Sequence, residues 1–309
     1  MTASSDVPVP GRPPRDPAAA PAAAGTAAVP AVGDPARRPS RAGRNLFAAV
    51  VVGAGLGAVI LVPLLTVRYT FVGVLAVTTA IATWELRDAL RRGAGIEVPL
   101  PVLLAGGQAM IWLSWPFGLR GLGLSFAVTA LGCLVWRMRA GAAHYLRDVS
   151  AGVFTAVYVP LFCSFVVMLT VAPDGVGRVL TYVLCVAASD IGGYAVGVLA
   201  GRHPMAPTIS PKKSWEGFCG SLAAGMAVGA LSVSLLLGGA WWEGALTGAL
   251  LVVSATLGDL VESLVKRDLG IKDMGRLLPG HGGLMDRLDS MLPTAVVAYL
   301  VLGLLVPVP

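Results

Sequence analysis

The sequence predicts an all-α, polytopic integral membrane protein of about nine transmembrane helices, and three observations carry that reading. Hydrophobic residues make up 56% of the chain and charged residues 13%, with a mean hydropathy of +0.77, a composition suited to a bilayer rather than to water. Apolar stretches of about 17 to 25 residues recur from residue 46 onward, each long enough to cross a ~30 Å hydrocarbon core as a helix. The short alternating strands of a membrane barrel are not visible.

Residues 1–45 are dominated by Ala, Pro, Gly, Ser and Arg and show no apolar periodicity, so they read as a disordered cytoplasmic tail. The tail lacks the basic start, short apolar run and cleavage site of a secretory signal, and the first span is therefore expected to be retained. Spans are expected at 46–67, 69–86, 98–117, 119–136, 150–172, 179–200, 217–238, 243–264 and 291–307. Trp115, Pro116 and Arg120 leave the third and fourth only a very short connection, which a re-entrant turn would also satisfy. Residues 46–175 form an N-terminal set of helices, and 176–309 a C-terminal set that holds the polar motifs.

Basic residues give an independent test of this order, because cytoplasmic loops accumulate Lys and Arg. With the N-terminus inside, cytoplasmic segments hold Arg87, Arg91 and Arg92, then Arg137, Arg139 and Arg147, then Arg202, Lys212 and Lys213, and finally Lys266, Arg267, Lys272, Arg276 and Arg287. Outer loops keep Arg68, Arg120 and Arg178. The two most polar loops, around 202–216 and 265–290, thus fall on one face. The net charge of +6 is assigned to topology and anionic headgroups rather than to nucleic acid. Cys133, Cys163, Cys185 and Cys219 are far apart, with no zinc or redox spacing, and read as structural. His144 and His203 are lone loop histidines from which no metal site is built.

Chemistry concentrates at the last two spans. Asp259, Glu262, Ser263 and Lys266 lie at i, i+3, i+4 and i+7, so one helix face carries them all. A charge at helix-centre depth costs about 2.5 to 3.5 kcal/mol on insertion scales, so this face must look at protein, water or an ion. An internal ion pair of Asp259 or Glu262 with Lys266 would also satisfy it. Asp286 and Asp289 sit at the start of the last span, where the helix dipole favours negative charge and where capping alone would explain them. Two polar helix ends side by side also suit Mg²⁺, which is held by one or two carboxylates together with substrate phosphate oxygens. Asp190 adds a carboxylate near the middle of the sixth span, which must face an internal cavity.

Between those helices, Pro279, Gly280, His281, Gly282 and Gly283 offer backbone that can approach a phosphate, flanked by Lys266, Arg267, Lys272, Arg276 and Arg287. Walker-type spacing is absent, which argues against a P-loop nucleotidase. The stretch Ser210-Pro211-Lys212-Lys213-Ser214-Trp215-Glu216-Gly217 pairs two cations with hydroxyls at a helix start; a capped helix with topogenic lysines is its plainer explanation.

The run from Ser263 to Asp289 resembles the signature of the phosphatidate cytidylyltransferases, or CDP-diacylglycerol synthases: Ser-x-apolar-Lys-Arg, four residues, Lys-Asp, then His-Gly-Gly-apolar-x-Asp-Arg-apolar-Asp. The stretch from Ser210 to Gly217 is similar to the family's Ser-Pro-Lys-Lys-Thr-x-Glu-Gly element, with Ser214 in place of Thr. Ser189 to Tyr194, with Gly201 and Arg202, is similar to its Asp-x-x-Ala-Tyr and Gly-Arg segment, with Gly193 in place of Ala. Residues 180–295 carry the resemblance; the N-terminal half matches in hydropathy alone.

The resemblance implies transfer of a cytidylyl group from CTP to phosphatidic acid in the cell membrane, with Mg²⁺ and a second divalent or monovalent cation as candidate cofactors. It implies that Asp259 and Asp286 hold the metal, with Asp289, Glu262 or Asp190 as further ligands, and that Lys266 is catalytic. Ser210, Lys212, Lys213, Ser263, Arg267, Lys272, Gly282, Gly283 and Arg287 would bind substrates, and His281 would donate to a phosphate oxygen. A cytoplasmic active site and a homodimer are further expectations. Two rivals stay open: a transporter for an anionic solute, which should show internal repeats that are not visible, and a related enzyme such as a polyprenol or phytol kinase or a cytidylyltransferase acting on another lipid phosphate.

Overall fold

The computed structural model describes residues 55, 57–275, 277 and 282–307. The 1–45 tail, most of the first half of the 46–67 span, Arg276 and His281 lie outside the described residues. Helices follow in the order α1 (Gly57–Thr66), α2 (Arg68–Ala94), α3 (Leu100–Met138), α4 (Tyr145–Ala156), α5 (Phe162–Val171), α6 (Gly175–Ala200), α7 (Trp215–Leu236), α8 (Trp241–Asp268), α9 (Met285–Leu288) and α10 (Met291–Leu305). Counting α4 with α5 and α9 with α10 as continuous, seven helices among the described residues are long and apolar enough to cross a membrane.

The difference from nine lies at two places. The 46–67 span is described only as the short α1. The third and fourth spans run on as one helix, α3, but Gly118 at φ 54° and ψ −137° breaks it just after Pro116. Its two arms, 100–117 and 119–138, fold back on each other: Gly106 packs against Thr129 and Gly132 against Val102. The positive φ is cheap only for glycine, so a single residue makes the hairpin that the short connection required.

Most helices outrun the hydropathic windows. α2 continues past Leu86 through Arg87 to Arg92, because polar residues end a membrane span without ending a helix. It stops at Gly95, whose left-handed φ of 61° lets its N–H bond the carbonyls of Arg91 and Leu90. Inside the spans, hydroxyls that lipid cannot satisfy bond back to the preceding turn, as Thr129 does to the Ser125 carbonyl at 2.7 Å and Ser164 to that of Pro160 at 2.7 Å. Between α4 and α5, Val157–Leu161 forms a π-helical turn around Pro160, which places Tyr158 in the core with its hydroxyl 3.4 Å from the Gly258 carbonyl.

Three helices form the tightest part of the bundle. Gly192 of α6 meets Gly220 and Ala224 of α7, while Gly225 and Gly229 of α7 meet Gly248 and Gly244 of α8. Side chains this small allow backbones to touch, which is how helices gain contact where lipid is as apolar as leucine. At the opposite end of the bundle from the polar loops, Arg178 is buried and donates to the carbonyls of Leu302 at 3.0 Å and Val306 at 2.6 Å, closing the end of α10.

The helical prediction needs one addition. Pro204–Ala206 (β1) and Ser210–Ser214 (β2) pair as an antiparallel hairpin between α6 and α7. Its base is pinned to α7: the Trp215 N–H bonds the His203 carbonyl at 3.0 Å, and Glu216 accepts from the N–H groups of Arg202 at 3.1 Å and His203 at 3.2 Å. Hydropathy marks this stretch only as polar, and pairing of its main-chain groups makes it a two-stranded flap.

Candidate active site

The hairpin and three helices enclose a cavity of about 320 Å³, within the range of small-molecule sites. Asp190 lines it from α6, Lys212 and Lys213 from β2, Phe218 and Ser221 from α7, and Asp259 from α8. Tight packing of α6, α7 and α8 fixes these walls, and Ser214 caps α7 by accepting the Gly217 N–H at 3.1 Å. Lys213 forms an ion pair with Asp259, and the Ser263 hydroxyl donates to the other Asp259 oxygen at 3.3 Å.

A second polar group lies one to two turns further along α8. Lys266 reaches Glu262 at 3.2 Å and Asp286 at 2.7 Å, so the ion pair that the helix spacing allowed does form. Glu262 is fully buried, with the Lys266 ammonium and the Asp289 side chain as its polar neighbours. Asp289 sits beside it, takes the Ser290 N–H at 2.7 Å, and lies within electrostatic reach of Asp259. Asp286 also accepts the N–H groups of Met274 at 3.0 Å and Gly283 at 2.8 Å. The helix-start aspartate thus ties down the preceding loop as well as facing Lys266. Gly282, at φ 81°, supplies the left-handed turn that brings Gly283 round to it.

Asp190, Asp259, Glu262, Asp286 and Asp289 are gathered here with Lys213 and Lys266 as their counter-charges. Five carboxylates outnumber the three lysines among them, Lys212 of the same cavity included, and in a low-dielectric setting attract further positive charge. Oxygen donors of this kind fit a hard divalent cation. An ammonium group already sits on each of the two carboxylates with the strongest claim to such an ion, Lys213 on Asp259 and Lys266 on Asp286. Among the described residues no three His, Cys, Asp or Glu side chains are grouped so as to hold a metal ion.

Other predicted residues lie at the rim. Arg267 reaches the hairpin at the Ile209 carbonyl, 3.5 Å away, and Lys272 and Arg287 are exposed. Ser210 begins β2 opposite Ala206 rather than lining the cavity. His281 lies outside the described residues.

Sequence reasoning passed over two residues beside the site. Tyr158, from the π-helical turn, lies within electrostatic reach of Glu262, Asp289 and Asp259. Glu85 of α2, 1% exposed, bonds the Met285 N–H at 2.8 Å. The signal for Glu85 was a carboxylate inside the 69–86 span, which resembled the start of a topogenic loop because Arg87 and Asp88 follow it.

Comparison with known proteins identifies the family. The model of the cytidylyltransferase family matches residues 47–305. Phosphatidate cytidylyltransferases of Mycobacterium bovis and Mycobacterium tuberculosis are each 54% identical over 284 residues, covering 88% of this chain and 92% and 86% of their own lengths. That of Mycobacterium leprae is 50% identical over 281 residues, covering 86% of this chain and 90% of its own. A match that runs through α1 to α10 and includes every wall of the cavity makes this chain a member of the cytidylyltransferase family.

Proposed function

We infer that this membrane enzyme transfers a cytidylyl group from CTP to phosphatidic acid, forming CDP-diacylglycerol and pyrophosphate for phospholipid biosynthesis. The observation that carries the reading is the cavity in which Lys212 and Lys213 meet Asp190 and Asp259 at the polar end of α6 to α8, in a chain whose relatives carry this name over most of their length.

The chemistry asks little of a general base. A phosphomonoester has a second pKa of about 6, so phosphatidate already carries a nucleophilic dianion at neutral pH. One of its oxygens attacks the α-phosphorus of CTP, the bond from that phosphorus to the bridging oxygen of the β-phosphate breaks, and pyrophosphate leaves. What the protein must supply is in-line positioning and charge neutralisation. Lys212 and Lys213 on the flap are placed to meet the triphosphate, and Lys266 the groups near Asp286. Lys213 and Lys266 can each exchange a carboxylate for a phosphate without losing an anionic partner.

Mg²⁺ is the proposed cofactor, with Asp259 and Asp286 as the residues that would hold it and Asp190, Glu262 and Asp289 adding negative charge. When bound, it would neutralise phosphate oxygens and stabilise the leaving pyrophosphate. A second cation is compatible with the remaining carboxylates. The acyl chains stay in the bilayer while the headgroup enters the cavity. The positive-inside pattern supports a cell-membrane location with this face cytoplasmic. The homodimer implied by the resemblance would need another face than the small residues of α7, since Gly225 and Gly229 are consumed against α8.

The test is incubation of detergent-solubilised protein with radiolabelled CTP, phosphatidic acid and Mg²⁺, with and without chelator. Label should enter the lipid phase as CDP-diacylglycerol, pyrophosphate should appear, and chelator should abolish both. Release of a nucleoside diphosphate would point to a kinase, and no turnover by folded protein would end the reading. Lys213→Met should raise KM for CTP about 10-fold, the cost of a charge-assisted contact, with a smaller change in kcat. An unchanged KM would remove the flap from the nucleotide site.

A further inference from the structure

Among the described residues, four carboxylate or guanidinium side chains in the helices are almost wholly buried: Glu85, Asp148, Arg178 and Glu262. Three have an opposite charge at hand, Asp148 with Arg137 and Arg147, Arg178 with Asp174, and Glu262 with Lys266. Glu85 is engaged differently. The Met285 N–H, 200 positions away in sequence, donates to its Oε2 at 2.8 Å, and the amides of Leu277 and Leu284 also face its carboxylate. Gly275 and Gly283 pack so closely on its two oxygens that a methyl group at either would strike them. Seven residues further along α2, Arg92 donates to the Met274 carbonyl at 2.9 Å. From the opposite side Asp286 takes the Met274 and Gly283 amides. The described main chain at Met274, Gly275 and Gly283 to Met285 is therefore held between two carboxylates, one of them from a helix in the half of the chain that carries none of the motifs.

We propose that Glu85 is a positioning residue, a main-chain anchor that fixes this segment and thereby holds Asp286 against Lys266. Its catalytic consequence rests on the cytidylyl-transfer reading; the anchoring itself does not. A carboxylate suits the task because each oxygen can accept from several N–H groups. Glutamine keeps the shape but turns an NH₂ group toward amide donors, and aspartate is one methylene too short to reach Met285.

The experiment compares the wild-type protein with Glu85→Gln and Glu85→Asp, each purified in detergent. Amide hydrogen exchange is read by peptide, and kcat, KM for CTP and the Mg²⁺ concentration for half-maximal rate are measured. Exchange in peptides covering 271–288 should quicken about 10-fold or more while α6 to α8 stay protected. kcat should fall roughly 10- to 100-fold, as expected for a misplaced catalytic group, with KM for CTP little changed and the Mg²⁺ requirement raised. Unchanged exchange in that segment would overturn the proposal, and so would equal quickening throughout the bundle, which marks a general packing role. Should both variants fail to fold, Gly275→Ala pushes on the carboxylate from the loop side and must give the same local signature for the proposal to stand. A wild-type protein that makes no CDP-diacylglycerol would defeat the functional reading, and the exchange contrast would still decide the anchor.

Discussion

Asp259→Asn and Asp286→Asn are each expected to lower cytidylyl transfer by at least about 100-fold, the scale on which enzymes lose rate when a group stabilising transition-state charge is removed. The two should differ in everything else. Asp259 is partly exposed to the cavity, and among the described residues its carboxylate bonds the side chains of Lys213 and Ser263, so its amide should leave the melting temperature nearly unchanged. Asp286 takes main-chain amides of Met274 and Gly283 as well as Lys266. Its replacement takes from Lys266 the closer of its two anions, leaving Glu262 at 3.2 Å, and puts an NH₂ group among amide donors, which should destabilise the fold by about 1 to 3 kcal/mol. Turnover in phosphatidate-containing micelles, with thermal unfolding of the same preparations, reads both quantities. Near-normal turnover in either variant would remove that residue from the proposed metal site.

Gly248→Val should have the largest effect on stability. A Cβ on Gly248 would strike the Gly225 carbonyl and the Met226 α-carbon of α7. Both are backbone, so no side-chain rotation relieves the overlap and the helices must separate. Over-packing costs about 1 to 3 kcal/mol where side chains can yield, and the upper end or beyond is expected here. Because α7 and α8 are two walls of the cavity, activity should fall with it. Gly73→Ala is the control: nothing lies within 4 Å of the added methyl group, and neither melting temperature nor turnover should drop. Equal melting temperatures for Gly248→Val and the parent protein would show that α7 and α8 do not depend on that close contact.

The membrane class and the order of helices were legible because each span must satisfy its own backbone within the bilayer, so length and hydropathy mark it locally. Even the doubtful connection at Trp115 and Pro116 was marked, since a turn that short leaves few ways to reverse a chain; Gly118 performs it. The face of α8 that carries Asp259, Glu262, Ser263 and Lys266 was legible for the same reason, as helical spacing alone puts them together. The hairpin was less so, because a five-residue strand between helices has no periodicity long enough to read.

Tertiary structure alone decided which charges answer each other. The sequence allowed Lys266 to pair with Asp259 or Glu262; packing gives it Glu262 and Asp286 and gives Asp259 to Lys213 on the flap. Nor does local pattern connect Glu85 with Met285. Partners of this kind are fixed by how closely glycine-lined helices approach and by the need of each buried charge for an opposite charge or a set of donors. Both are properties of the assembled bundle rather than of any one helix.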